Sequence, residues 1–537
     1  MIRFVVPILL VAAAALLGIL LPANPWLIWL LVPVLLVLAV ALWDMVQTSH
    51  TLRRNYPVIA HMRWFFEDLR PYLRSYIVES DLDGRPFNHN DRALVYARAK
   101  GDISSHPFGT ELNVYSEEYD WLNHSMMPNE RAAGEFRVDV GGPQCKQPYS
   151  AAILNISAMS FGSLSAKAIE TLNLGAQKGG FYHDTGEGGF SPYHAKHGGD
   201  IVWEIGSGYF GCRSDDGSFD PDKFAGTAVL DQIKMIEIKL SQGAKPGKGG
   251  MLPGAKVTAE IAKTRDVPEG KDCISPAAHT AFTTPLELLD FVEQLRRLSG
   301  GKPVGIKLCV GQPHEIFALM KAMLQTGIRL DFIVVDGGEG GTGAAPVELS
   351  DRVGMPLREG LILVNNALIG AGLRGDVRLA ASGKVISGAS LAMNAALGAD
   401  WSNAARGFMF SLGCVQSLQC HTGNCPTGIA TQSVSRQRGL VVEDKAERVH
   451  RFQKETAAAL RDIVVSMGLD NPSQIRPHHL HERLNAVKSS SIDQIYPFLK
   501  ANALVDTPDA TPYARFWAAA QAESFRALPD MRQTSYD

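Results

Sequence analysis

Three thiols stand close together in Cys414-Val-Gln-Ser-Leu-Gln-Cys420-His-Thr-Gly-Asn-Cys425-Pro426. Thiolates are soft ligands, and a compact set of them suits an iron–sulfur cluster or zinc. Three ligands rather than four leave a cubane one iron short. A [3Fe-4S] cluster is therefore the expected occupant, with Cys414, Cys420 and Cys425 as its ligands. Gly413, Gly423 and Pro426 bend the chain, which predicts a tight wrapping loop rather than cysteines packed as small apolar side chains in a core helix.

A second chemical segment runs from Lys239 to Gly254. It holds Lys239, Lys245 and Lys248, with five glycines and two prolines over Gly243–Gly254. Such a loop brings backbone N–H groups and ammonium charges close to an anion, and it is too glycine-rich for a plain surface connection. Asp336–Pro346 contains the string Gly338-x-Gly340-x-x-Gly343. A dinucleotide fingerprint needs a helix to begin at that turn, and Pro346 followed by the loose stretch Val347–Pro356 argues against one. The segment reads instead as a strand-end loop whose backbone lies against a flat ligand. His183, His194 and His197 lack the H-x3-H spacing with an acidic partner and are read as loop histidines rather than a metal set. No nicotinamide site is evident, so electrons are expected from another protein or a membrane carrier.

The elements that must position these residues alternate in type. Ala151–Ser157, Val304–Val310, Phe332–Val335, Leu361–Asn365 and Val377–Ala380 read as strands. Ser165–Lys178, with Ala168, Leu172 and Ala176 on one stripe, Glu315–Thr326 and Leu391–Leu397 read as helices. Strands alternating with helices over this length predict parallel βα units, and an α/β class (β/α)8 TIM barrel fits better than an open sheet. Glu443–Leu469 has Val449, Phe452, Ala457, Leu460 and Val464 on one stripe and is expected to pack on the barrel.

A chain of 537 residues with 46% hydrophobic content can build a large core, and a net charge of −3 excludes a nucleic-acid footprint. The seven cysteines show no pairing rhythm outside the triad, which fits a reducing compartment. Phe4–Pro22 and Leu27–Trp43 carry no charge and approach the length that crosses ~30 Å of hydrocarbon. Arg3 flanks one end and Arg53, Arg54 and Arg63 the other, while the turn Ala23–Trp26 has no Lys or Arg. The positive-inside rule then predicts a two-pass transmembrane hairpin in the cell membrane with a cytoplasmic catalytic body. Trp26, Trp29 and Trp43 would form an aromatic belt. The expected domains are the hairpin at 1–50, a capping region at 51–150, the barrel with its cysteine segment at 151–440 and a helical extension at 441–537.

Cys420–Gln432, as Cys-His-x-x-Asn-Cys-Pro-x-Gly-Ile-Ala-Thr-Gln, resembles the cluster-binding segment of glutamate synthases. Ser157-Ala-Met-Ser160-Phe-Gly-Ser163, Thr185-Gly-Glu187-Gly-Gly, Ser207-Gly-Tyr-Phe-Gly211, the Lys245 loop, Lys307 and Asp336–Pro346 look like successive blocks of that family, in family order, over about Ser157–Gln432. The resemblance implies an electron-transferring enzyme whose barrel binds FMN. Met159, Ser160, Lys307, Gly337, Gly338, Ser382, Gly383 and Lys384 would surround the flavin. Lys239, Lys245, Met251 and Arg265 would face a 2-oxo acid, and Glu187 would hold ammonia or the imine nitrogen, with Glu187 and Lys245 as catalytic groups. The implied reaction is reductive amination of 2-oxoglutarate to glutamate, fed by a ferredoxin-like or quinone-linked donor.

Three departures from the family bear on this. Met251 replaces a Gln, and Lys248 replaces an acidic residue. No amidotransferase domain with an N-terminal Cys opens the chain, so ammonia is expected free or from a partner. There is no room for the family's C-terminal β-helix. These leave open an amine-using synthase of N-substituted glutamate, or a membrane electron-transfer flavoprotein with another acceptor.

Overall fold

In the computed structural model, residues 2–105, 107–129 and 134–528 are described. The chain divides into two compact units, Met1–Asn90 and Asp91–Asp537.

The first unit is helical. α1 (Ile2–Leu20) and α2 (Ile28–Val46) are 19 residues each, joined by a 3-10 turn at Pro25–Leu27, and they pack on one another. At about 1.5 Å per residue each spans close to ~30 Å. They are long and apolar enough to cross a membrane, and only a small share of either is buried within the chain. Ile8, Ile19, Trp29, Leu36 and Trp43 are exposed, so these are not core helices of a globular domain. α3 (Thr51–Asn55) and α4 (His61–Leu73) follow.

The second unit is built on a closed parallel barrel. Its strands are β1 (Leu154–Ile156), β2 (His183–Asp184), β3 (Ile201–Ile205), β4 (Ile233–Lys239), β5 (Val304–Leu308), β6 (Phe332–Asp336), β7 (Arg378–Ser382) and β8 (Trp401–Ala404). Neighbours in sequence pair all the way round, with β8 on β1 closing the ring. Apolar β-branched residues dominate because both faces are covered, by the packed barrel interior and the outer helices. Local signals set the helix ends. Before α5 (Ala166–Gly179), the Ser165 hydroxyl accepts from Ala168 N–H, and Gly180 ends the helix in the left-handed region. Thr284 and Glu287 form a capping box on Pro285–Leu298. The 25-residue helix Val442–Ser466 packs on α5 through Val449, which lies against Gly175.

Several sequence readings change. Leu361–Asn365 is no strand but part of the helix Leu357–Gly370, buried along nearly its whole length; a helix covered all round loses its periodicity and looks like a buried strand. The strand expected at Ala151–Ser157 breaks at Ile153. Its first part, Tyr149–Ala152, pairs antiparallel with Arg137–Val140, and the rest enters the barrel as β1. Thr456 rather than Ala457 is buried on the long helix. The stretch after Pro346 contains a short helix, Val347–Arg352, but no helix starts within the glycine string itself. Past Asn471, the ribbon Leu480–Asn485 and Lys488–Ser491 pairs with Asp120–Leu122.

Candidate active site

Most of the predicted site residues lie at the carboxyl ends of barrel strands or on the loops that leave them, the face on which barrels carry their chemistry. Glu187 follows β2, Lys239 ends β4, and Lys245 is on the loop beyond. Lys239 Nζ lies 3.1 Å from Glu187 Oε2. Burial alone would raise the Glu187 pKa, but the charges of Lys239, Lys245 and Arg265 outweigh it and hold the carboxyl down at about 2. Burial lowers the Lys245 pKa; Glu187 opposes that, while Lys239 and Lys248 add to it. Arg265, at the end of the helix Ala259–Arg265, is buried. It donates to the Phe161 carbonyl at 2.8 Å and lies over the Phe210 ring at 5.2 Å. The Arg265 Nε has no partner.

Two glycines make this packing possible. A Cβ on Gly243 would collide with the Gly337 carbonyl, and one on Gly250 with the Glu187 carboxylate. The lysine loop is thereby laid on the β6 loop, where Gly243 N–H donates to Asp336 Oδ2 at 2.8 Å. Ser275 links the same parts, accepting from Gly250 N–H at 2.7 Å and donating to Glu187 at 3.5 Å. Met251 pairs with Ile274 on a short antiparallel ribbon and is 61% exposed.

The residues predicted to hold a flavin ring the same mouth. Met159 and Ser160 follow β1, Gly337 and Gly338 follow β6, and Ser382, Gly383 and Lys384 leave β7. Ser157 and Ser382 hydroxyls meet at 3.3 Å, joining the β1 and β7 ends. Lys307 on β5 is buried and ion-paired with Glu204 and, at 3.1 Å, with Glu237. Asp184, Glu204 and Glu237 bring carboxylate oxygens within 4.8 Å of one another around it. Burial pushes both Glu237 and Asp184 up; the Asp184 carboxyl raises Glu237 further, while Lys307 and a hydrogen bond from Glu237 oppose the rise at Asp184. Sequence reading missed this cluster, although charged residues inside otherwise apolar strands such as Ile201–Ile205 were a visible signal.

The cysteine segment leaves the helix Arg406–Leu412 and turns through left-handed backbone at Gly413, Gln416, Leu418 and Gly423. Burial raises the Cys414 pKa to about 12, with Cys420 and Cys425 adding to it. Burial also raises Cys420, with Cys425 next. Burial would raise Cys425 as well, but N–H groups of Ala430, Thr427 and Ile429 and the Thr427 hydroxyl converge on it and bring it below the usual thiol value. Three thiols near enough to perturb each other, with N–H groups converging on the Cys425 sulfur, are a donor set that fits a thiolate-held cluster. Two residues the sequence did not flag hold this loop. Tyr96, on the helix His89–Lys100, donates to the Cys414 carbonyl at 2.5 Å, and buried Lys256 donates to the Cys420 carbonyl at 2.8 Å.

Residues 143–470 match the conserved region in glutamate synthase. The chain belongs to the glutamate synthase family. It is an oxidoreductase of that type. It is similar to the glutamate synthase large subunit-like protein YerD of Bacillus subtilis, 35% identical over 86% of this chain and 96% of that one. It also resembles the archaeal-type glutamate synthase (NADPH) of Dehalococcoides mccartyi at 30% identity, and the archaeal glutamate synthase (NADPH) of Archaeoglobus fulgidus at 33%. Its similarity covers 62% and 60% of those two relatives. Among solved structures, a mandelate oxidase bound to 2-hydroxy-phenylacetamide is similar at 13% identity and a TM-score of 0.42, over 79% of this chain and 94% of that one.

Proposed function

We propose that this member of the glutamate synthase family is a membrane-anchored, FMN- and [3Fe-4S]-dependent enzyme that reductively aminates 2-oxoglutarate with ammonia to glutamate. The convergence of Lys239, Lys245 and Arg265 on the single carboxylate of Glu187 carries the reading. A surplus of positive charge at a barrel mouth suits a dicarboxylate, with Arg for bidentate grip and Lys as point charge. Glu187, kept ionised, is an anion for ammonium or the imine nitrogen, not a proton donor. Lys245, whose burial weakens its hold on a proton, is the group suited to donate one. Water leaves as the carbonyl of 2-oxoglutarate becomes an imine; one hydride at its carbon and one proton at its nitrogen complete glutamate.

Met159, Ser160, Gly337, Gly338, Ser382, Gly383 and Lys384 fit a flavin at this mouth, with Lys307 beneath, and the last strands are where barrels commonly hold a phosphate. That hydride would come from FMN bound here in its reduced form. Cys414, Cys420 and Cys425 would hold the cluster, which carries single electrons. The donor would be a ferredoxin-like protein or a quinone-linked carrier. Two exposed apolar helices flanked by arginine support the membrane anchor and a cytoplasmic body.

The test uses detergent-purified protein with its flavin reduced anaerobically by dye. Reoxidation that requires both 2-oxoglutarate and ammonium, with glutamate formed, is the expected result. A flavin that stays reduced with both compounds present overturns the assigned reaction. Replacing ammonium with methylamine tests the amine-using alternative in the same assay. Cys420→Ser should abolish the cluster, and unchanged iron and sulfide content would sink that ligand assignment.

A further inference from the structure

An apolar surface that covers no core lies just beyond the hairpin. α4 and the turn after it, residues 61–78, have no buried apolar residue, yet they expose Met62 at 56%, Phe65 at 60%, Phe66 at 50%, Ile77 at 74% and Val78 at 74%. The spacing is helical. Met62, Phe66, Leu69 and Leu73 fall on one stripe, with Phe65 beside it, and Arg63, Glu67, Arg70 and Arg74 fall on another. A helix of that pattern that covers no core has its partner outside the chain.

The start of α4 is fixed to the end of α2. Asp44, in the last turn of α2, is buried, and its carboxylate accepts from Val58 N–H at 2.9 Å and meets His61 Nε2 at 2.9 Å. The Arg53 guanidinium lies over the Trp64 ring at 4.4 Å, and the His50 ring meets the same indole edge-on at 5.2 Å. These contacts hold the first turn of α4 at the end of a bilayer-length helix. Around it, Arg53, Arg54, Arg63, Arg70 and Arg74 outnumber Glu67, Asp68 and Glu79, of which Glu79 pairs with Arg74 at 2.6 Å. Amphipathic helices with an aromatic apolar side and arginine on the other lie in the plane of the headgroups, and basic charge favours the anionic cytoplasmic leaflet.

We propose that His61–Val78 lies flat in the interfacial layer of an anionic membrane, as a second attachment beside the hairpin. The proposal rests on the hairpin crossing the bilayer. A protein partner on the same stripe is the competing occupant; the Asp44 pin and the arginine excess favour lipid. The consequence is a juxtamembrane segment that cannot swing as a free linker, because each end of its stripe is held in the boundary layer.

The test reconstitutes the full chain in vesicles of phosphatidylcholine and phosphatidylglycerol containing a lipid with a photoactivatable diazirine high on its acyl chain. Adducts are then mapped by peptide mass spectrometry. Adducts are expected on the hairpin and on peptides covering Met62–Phe66 and Tyr76–Val78. Adducts on the hairpin alone would overturn the proposal and leave the anchor standing, whereas none on either would defeat the membrane reading itself. F65E/F66E should lose the α4 adducts while keeping hairpin adducts and bound flavin; labelling of α4 that persists in that variant also overturns the proposal. Equal α4 labelling in phosphatidylcholine alone would overturn the preference for anionic lipid.

Discussion

Glu187 and Glu237 are both carboxyls in water-poor surroundings of one barrel, each within reach of a lysine ammonium, and their pKa values move in opposite directions. Burial pushes both upward. At Glu187 three cations, Lys239, Lys245 and Arg265, act on one carboxylate and reverse the effect. Around Lys307 the balance is inverted, since Asp184, Glu204 and Glu237 crowd about one ion-paired ammonium and Glu237 is pushed up. Burial sets how strongly charges are felt, and local stoichiometry sets which way a group goes. The mouth retains surplus positive charge and can receive an anion. The interior cluster has no positive charge to spare and ties β2, β3, β4 and β5 together.

The hardest blow to this contrast is Lys307→Met. It removes the single ammonium from among the buried carboxyls, and breaking a buried pair in this way destabilises by about 3–5 kcal/mol. Denaturant unfolding at neutral pH should show that loss, and stability should recover as pH falls and the stranded carboxylates protonate. A loss under ~1 kcal/mol would mean the cluster is not held by this charge.

Glu187→Gln acts on the mouth instead. Removing a preorganised charge at the reacting nitrogen should lower kcat/KM for ammonium on the order of 10²-fold. Glu187 also raises the Lys245 pKa, so the alkaline limb of the pH–rate profile should move to lower pH in the variant. A limb that stays or moves upward would break the link between the two groups. The same variant changes acid stability. The Glu187 carboxylate favours the fold at pH values above the usual carboxylate range, and that contribution is lost as pH falls from that range toward about 2. Unfolding curves of Glu187→Gln should lack this slope.

The smallest effect is expected from Glu237→Gln. An amide keeps a donor toward Asp184 and stays neutral, the form that burial favours for Glu237. Because the folded state keeps a proton that the unfolded chain releases, native Glu237 weakens the fold as pH rises above the usual carboxylate range. Glu237→Gln should therefore flatten that slope and leave stability within about 1 kcal/mol of the native protein's below the usual carboxylate range, where both side chains are neutral. A loss as large as that of Lys307→Met would show that Glu237 is ionised after all.

The sequence alone determined what depends on spacing along the chain. The thiol triad, the lysine loop, the β6 glycines and the hairpin are each contiguous, so residue type and interval were enough. The alternation of strand and helix announced a barrel, because each element carries its own period and end signals. Tertiary structure decided what depends on register across the barrel. Only the pairing of β3, β4 and β5 brings Glu204, Glu237 and Lys307 together, from three segments far apart in sequence. The Tyr96 and Lys256 contacts with the cysteine loop were equally invisible, since nothing in their own neighbourhoods marks them. Leu361–Asn365 misled for a related reason: a helix buried on every side has no polar face to reveal its period, and the neighbours that bury it come from distant parts of the chain.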